Sequence, residues 1–336
     1  MMDEPAELSF EEIGYLVSQL ALPAVIDDLF QAYLGRNADD AGMAAILERE
    51  MTVGQVEEMI TGSPEYRDRG RLLIDQDRTY YDGAMLIIPP ARVLYCPISK
   101  VANTSIKDWA LRLVGEAQPS AGDPHDELES GQSKMQAKHW SFAMREMIAR
   151  DPDWASVAVL RDPVERLVSC YCDKFGRHRK NAADLVHTRH VYAFFNDGRD
   201  PDEEMIARGL TFRQFCIYIN RTPREGQDPH WVPQWNYLQN RKWDRLFTLD
   251  KIQEFEEFIR ARLPEHLRDI RLGIANANVK DDATEPDKDL SDALPDEWLG
   301  PRNPSYEAFL TEDIRSFIGD YYSLDFVLYE RAQRGA

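Results

Sequence analysis

Between residues 24 and 34 the apolar side chains recur at helical spacing, and a polar turn, Gly35–Gly42, interrupts the run. Met43–Met51 resumes the pattern, Thr52 stands as an N-cap ahead of Val53–Ile60, and Ser63-Pro64-Glu65-Tyr66 closes the segment. Residues 8–70 are therefore predicted to be helical throughout. From Tyr80 onward, short apolar runs alternate with amphipathic stretches. Arg92–Cys96, Ser156–Leu160 and Leu246–Leu249 read as strands. Thr104–Val114 reads as a helix with Ile106, Trp109, Ala110 and Leu113 on one face, and Pro163–Phe175 as one with Val164, Leu167, Val168, Tyr171 and Phe175 in its buried stripe. Trp140–Ala149, Lys251–Leu263 and Tyr306–Tyr322 are further predicted helices, the last followed by Asp325-Phe326-Val327-Leu328. Strands alternating with helices predict an α/β fold with a parallel sheet and crossover helices. Gly115–Ala137 and the acidic Asn276–Pro295 are long enough to be lids or mobile segments.

Composition narrows the function classes. The 336 residues, 43 % apolar and 10 % aromatic, are enough for one large domain or two with a real core. Acidic residues outnumber basic ones 59 to 40, a formal charge of −19, so a nucleic-acid partner is disfavoured while a small anion held by a few focused cations is not. No apolar run reaches bilayer length, and the acidic start of the chain lacks the regions of a signal peptide. Cys96, Cys170, Cys172 and Cys216 form no disulfide framework. Together these features predict a cytoplasmic protein without a transmembrane segment. The Cys170/Cys172 pair has no matching second pair for a metal. Asn37-Ala38-Asp39-Asp40 lacks the remaining ligand positions of a calcium loop.

The chemistry concentrates in two turns. Val93–Lys107 is an apolar strand that breaks into a small-residue turn carrying Lys100 and then opens an amphipathic helix. Backbone N–H groups of such a turn converge on one spot at a helix N-terminus, where negative charge is favoured. Val157–Phe175 repeats the design, with Arg161 at the strand end and Ser169 inside the next helix. Two anion sites on successive strands predict one ligand with phosphates at both ends. The first turn lacks the Gly-Lys-Ser/Thr of a Walker A loop, and no Asp ends an apolar strand to hold magnesium, which argues against a nucleotide-dependent kinase.

The motifs Cys96–Lys107 and Leu160–Phe175 resemble the 5′ loop ("PKVACTSWK") and 3′ motif ("VRDPxERLVSxYxDKF") of sulfotransferases that use 3′-phosphoadenosine 5′-phosphosulfate (PAPS), in particular the carbohydrate branch. Asp228–Gln234 resembles that family's "HWxPQ" segment, and Phe247–Phe258 its strand-to-helix "F…E" stretch. The resemblance implies a P-loop-like three-layer sandwich with a central parallel sheet over residues 80–336. Leu29–Gly42 with Ser63–Tyr66 resembles a small bacterial helical module of unknown function, which implies an all-α domain over residues 1–75, serving association or positioning.

By resemblance, Lys100 and the turn Val101, Ala102, Asn103, Thr104 and Ser105 would bind the 5′-phosphosulfate, and Arg161 and Ser169 the 3′-phosphate. Lys280, beside Asn278, would lie on a loop folding over the nucleotide. His139 is the expected base for the acceptor hydroxyl, its plain alternative being a surface histidine beside Lys138. His230 is the rival, although its "HWxPQ"-like segment is expected rather to organise the acceptor or cofactor pocket; the acceptor is a glycan or glycolipid, and peripheral membrane contact stays open. An ion pair of Arg161 with Asp162 or Glu165 is the plain alternative to its phosphate role. Arg166 and Asp173 read as an exposed-face pair. His187 and His190, three apart, have no carboxylate or Cys at matching distance, so no metal is expected. Trp231, Tyr237 and the C-terminal tyrosines are open choices for stacking adenine. Arg177-His178-Arg179-Lys180 would steer an anion or form a solvated helix end. A protein that binds adenosine 3′,5′-bisphosphate (PAP) without catalysis is the competing class.

Overall fold

The structure, a computed structural model, describes residues 21, 23–67, 84–116, 133–140, 151–224, 226–238, 243–273 and 288–335, with Leu128, Arg145 and Ile148. The expected helix over 140–149 and both long segments lie largely outside the described residues.

Three helices open the described chain: α1 (Pro23–Leu34), α2 (Asp40–Glu48) and α3 (Val53–Gly62). Their apolar faces meet in a cluster of their own, with Ile26, Leu29, Tyr33, Ile46, Val53, Val56 and Ile60 buried. Asp39 caps α2, so Asp40–Gly42 belong to that helix rather than to the polar turn. Thr52 caps α3 in a reciprocal capping box with Gln55, an arrangement that contributes about 1 kcal/mol.

Among the described residues the sheet has four strands in sequence order: β1 (Leu86–Ile88), β2 (Val93–Cys96), β3 (Ala155–Leu160) and β4 (Arg245–Thr248). β2, β3 and β4 are parallel, with Tyr95 opposite Val157 and Val157 opposite Arg245. β1 pairs antiparallel with β2, so the sheet is mostly rather than wholly parallel. This short edge strand was not predicted, because Pro89 and Pro90 mask its apolar run. Residues 135–137 extend the same edge, with Ile87 N donating to Met135 O and Ala137 N to Met85 O, both at 2.8 Å. β2 and β3 are buried on both faces, as strands covered by helices are. Side chains alternate between the faces: Leu86 and Tyr95 enter the main core, while Ile87 and Leu94 pack with Trp154 on the other side.

After β2 comes α4 (Asn103–Leu113), and after β3 come α5 (Pro163–Tyr171) and a π-helix, Cys172–Arg177. Then follow α6 (Ala182–Phe194), α7 (Glu203–Arg208), α8 (Phe212–Arg221) and α9 (Trp235–Leu238). β4 leads into α10 (Ile252–Arg262). The chain closes with α11 (Pro295–Trp298), a 3₁₀ turn at Tyr306–Phe309, α12 (Glu312–Tyr321) and α13 (Ser323–Gln333). The single helix expected over 306–322 is thus broken before Glu312, and residues 325–328 are helical. A second core, built on Tyr171, Phe175, Phe212, Phe215, Trp231 and Phe309, packs α5 and the π-helix against α8 and the C-terminal elements. All four cysteines are free and buried, and burial pushes the Cys170 and Cys172 thiols up to about 12. No helix among the described residues is long and apolar enough to cross a membrane.

Candidate active site at two joined anion turns

The first turn leaves the end of β2 at Pro97. Ile98 and Val101, both fully buried, pin it from below, while Lys100 and Ala102 adopt left-handed backbone at φ +67° and +48°. Alternation of this kind tips successive N–H groups to one side and forms an anion nest. Ala102, at the cap of α4, supplies no side-chain acceptor to the first N–H groups of the helix. The turn therefore offers a ring of donors, with Thr104 and the buried Ser105 in the first turn of the helix.

The second turn leaves β3 at Arg161. Asp162 caps α5 by accepting from Glu165 N at 3.0 Å, and Pro163 occupies the first helical position, where its missing N–H costs nothing. Arg161 is fixed at both backbone ends by one side chain: its N–H donates to Gln234 Oε1 (3.0 Å) and its carbonyl accepts from Gln234 Nε2 (2.8 Å). Its guanidinium donates to the Lys100 carbonyl (3.2 Å) and to Tyr306 Oη (3.3 Å), and lies 3.6 Å from Glu165. The two turns expected to hold opposite ends of one ligand are joined by Arg161 itself. Ser169 is buried two helical turns further along α5.

Residues 84–330 match the profile of the Sulfotransferase family. The chain belongs to this family. Its matched region holds both anion turns and leaves α1–α3 outside. Among curated proteins, carbohydrate sulfotransferase 9 of Homo sapiens is 23% identical over 243 residues, 71% of this chain and 51% of the relative. Carbohydrate sulfotransferase 8 of Mus musculus is 26% identical over 141 residues, 42% of this chain and 33% of that protein. Carbohydrate sulfotransferase 14 of Mus musculus is 25% identical over 247 residues, 68% of this chain and 60% of that protein. The chain thus spans between a third and three fifths of the length of these relatives. No solved structure gives a significant match.

Several residues of the sulfotransferase region have roles other than those expected. Asp173 is not an exposed-face partner of Arg166; its carboxylate lies 2.9 Å from the Lys100 ammonium. Burial alone would push that carboxyl up, but the Lys100 charge and hydrogen bond outweigh it and hold Asp173 below the usual range. Arg166 is buried, and it donates to three carbonyls: Val232 (2.8 Å), Ser99 (2.9 Å) and Pro229 (3.1 Å). It thereby staples the "HWxPQ"-like segment to the residue preceding Lys100. The basic run 177–180 is largely structural: Arg177 bonds Asn303 and the Gly300 carbonyl, while the buried Arg179 bonds Gly176 O, Ala207 O and Asp296. Trp231 and Tyr237 are buried, Trp231 against Phe215 and Phe175 and Tyr237 with its hydroxyl on Pro229 O, so neither presents a free face to adenine. Tyr306 is the C-terminal tyrosine that reaches the site, with Arg161 5.8 Å over its ring.

His139 stands exposed on a 3₁₀ turn, Ala137–His139, just past the segment that extends the β1 edge. Lys280 lies outside the described residues. The histidine reading gains a carboxylate that sequence spacing hid: Asp228 lies between His187 and His230, with His187 Nδ1 2.7 Å from one oxygen and His230 Nδ1 2.6 Å from the other. His190 turns away and packs its ring on Trp231 and Tyr218. Gln234, Arg166 and Asp228 were not individually identified as site-forming from sequence, and Tyr306 was covered only as one of the C-terminal tyrosines. Gln234 and Asp228 do flank the His-Trp pair of the "HWxPQ"-like segment, which is the one signal that could have found them.

Proposed function

We propose that the protein transfers a sulfuryl group from PAPS to a carbohydrate hydroxyl. One observation carries the reading: the Arg161 guanidinium bonds the carbonyl of Lys100, so a cation suited to a 3′-phosphate is built into the turn suited to a 5′-phosphosulfate. ATP and ADP have no 3′-phosphate to engage it. In this reading Lys100 and the N–H groups of Val101–Ser105 hold the phosphosulfate, and Arg161 and Ser169 hold the 3′-phosphate. Charge develops on the oxygen bridging phosphorus and sulfur as sulfuryl leaves, and Lys100 with the nest dipoles stabilises it there. A histidine takes the proton of the attacking hydroxyl. The carbohydrate class comes from the names of the relatives and from the motif resemblance. Residues 1–75 and 80–336 are proposed as separate units, with Lys280 closing over the nucleotide.

Calorimetry tests the donor. PAP should bind at least tenfold more tightly than ADP or ATP, and Arg161→Ala should erase that preference, weakening PAP far more than ADP. Preference for ATP, or a PAP affinity indifferent to Arg161→Ala, would refute the proposal.

A further inference from the structure

Two imidazoles on one carboxylate form a built arrangement that the donor site does not use. His187 comes from the middle of α6, and Asp228 and His230 from the loop before α9. Asp228 Oδ2 faces His187 Nδ1 at 2.7 Å; Oδ1 faces His230 Nδ1 at 2.6 Å and also accepts the His230 backbone N–H at 2.9 Å. The rings meet edge to face with centroids 4.5 Å apart. Burial would push the Asp228 carboxyl up, but the bonds from His187 and His230 hold it well below the usual range, so it is ionised and can only accept. Each Nδ1 must then carry the proton, which leaves the lone pair of a neutral imidazole on Nε2.

A His₂Asp set could also hold a divalent metal, since its three donor atoms lie within 4.8 Å of one another. The separations match the hydrogen-bonded arrangement. Ligands about 2.0–2.1 Å from a tetrahedral zinc stand about 3.3 Å apart. Separations of 2.6 and 2.7 Å are those of N–H···O⁻ hydrogen bonds. The structure holds a hydrogen-bonded clamp.

The clamp is fastened to the donor turns. The carbonyls of Pro229 and Val232, on either side of His230, and that of Ser99, next to Lys100, share the Arg166 guanidinium. Asp173 pairs with Lys100, and the following residue, Lys174, bonds Asp184 and acts electrostatically on His230. The His230 and His187 side chains are 20% and 36% exposed, so a ligand can reach both.

We propose that the His187–Asp228–His230 cluster is the acceptor side of the active site, with the His230 Nε2 lone pair taking the proton of the attacking carbohydrate hydroxyl. This rests on the sulfuryl-transfer reading above. The acceptor oxygen forms its bond to sulfur as the sulfur–oxygen bond to the 5′-phosphate breaks, the leaving electron pair stays on PAP, and the hydroxyl proton passes to His230. Asp228 fixes the tautomer and stabilises the imidazolium as it forms, and His187 is a positioning residue on the opposite carboxylate oxygen. Burial keeps His230 below its ordinary pKa despite Asp228, with Lys174 and His187 acting in the same sense, so the imidazole is neutral and able to accept at neutral pH.

The test uses the full chain. Long-range ¹H–¹⁵N spectra at pH 7 should show His187 and His230 both protonated on Nδ1 only. PAP calorimetry on His230→Gln should stay within about twofold of wild type. Transfer from ³⁵S-labelled PAPS to a panel of simple glycosides should fall about 10²–10⁴-fold in His230→Gln. Asp228→Asn should lower kcat and move the acid limb of the rate profile to lower pH, because Asp228 raises the His230 pKa and a packing role would not shift that limb. A proton on His230 Nε2, tight binding of Zn²⁺ alone through these three residues, or a loss of transfer in His139→Ala with none in His230→Gln would each overturn the proposal. Failure of wild type to bind PAP would instead sink the donor reading, which the tautomer spectra do not touch.

Discussion

Replacing Arg166 by Met keeps the buried stem and removes the guanidinium that joins Ser99, Pro229 and Val232. Hydrogen bonds from a charged donor are worth about 1.5–3 kcal/mol each, and here the buried Val232 carbonyl and the half-buried Ser99 and Pro229 carbonyls would also lose their donor. The three share one side chain and do not add independently, so the expected loss is about 3–5 kcal/mol, the range for breaking a buried charged arrangement from one side. With a urea slope of about 2–3 kcal/mol/M, the unfolding midpoint should fall by about 1–2 M. Tryptophan fluorescence is the suitable probe, since Trp231 is buried beside Val232. The donor site should respond as well: release of Ser99 loosens the turn that carries Lys100, and PAP affinity should drop about tenfold, or 1.4 kcal/mol. Arg166→Lys should recover only part of both losses, because one ammonium cannot reproduce a planar fork with three acceptors. A midpoint within about 0.3 M of wild type, with PAP affinity unchanged, would refute the view that this residue couples the two segments.

Asp173→Asn should tighten PAP binding about fivefold, since Lys100 would no longer share its charge with a partly exposed carboxylate whose pairing is worth about 1 kcal/mol; weaker binding would mean that Asp173 positions Lys100 instead. Gly176→Ala places a Cβ 2.4 Å from the Trp298 ring, in the aromatic cluster around Tyr171, and overpacking of this kind should cost about 1–3 kcal/mol in a denaturant titration. Gly209→Ala should destabilise through two causes, φ at +80° and a Cβ 2.7 Å from Pro295 Cγ, again read from the urea midpoint. Stability should also fall with acid in two stages. His230 and Asp228 both bind protons less readily folded than unfolded, so stability is lost below pH 6.5 as His230 charges and again below 3.8 as Asp228 protonates. His230→Gln should flatten the first stage, and an unchanged profile would contradict the buried neutral imidazole.

The sheet was legible because fully buried parallel strands leave continuous apolar runs, and β2, β3 and β4 begin and end within a residue or two of the expected limits. The strand-to-helix turns that carry Lys100 and Arg161 were legible for a related reason. Their chemistry is local, with the lysine or arginine, the strand end and the helix start contiguous in sequence. β1 escaped because three residues before two prolines carry too little period to read. Gln234 escaped because its role is to satisfy the backbone of a residue 73 positions away, and no spacing rule reaches that far.

The misread charges around α5 have a sharper cause. On a regular helix, Arg166 and Asp173 are seven residues apart and share a face, which is why they read as a pair. The helix does not stay regular: from Cys172 it continues with i→i+5 bonding, and each such turn rotates the residues after it relative to the α period. Arg166, ahead of this change, is buried with its three carbonyls, and Asp173 and Lys174, within it, pair with Lys100 and Asp184. Phe175, on the stripe expected of a regular helix, still enters the second core, where it meets Phe215 at 4.7 Å between centroids. A bulge of this kind trades helical hydrogen-bond geometry for side-chain placement, and here the side chain placed is the counter-ion of the lysine proposed to hold the reacting group. The π-helix therefore adjoins the proposed site on two sides: it carries Asp173, which pairs with Lys100, and Lys174, which acts electrostatically on His230.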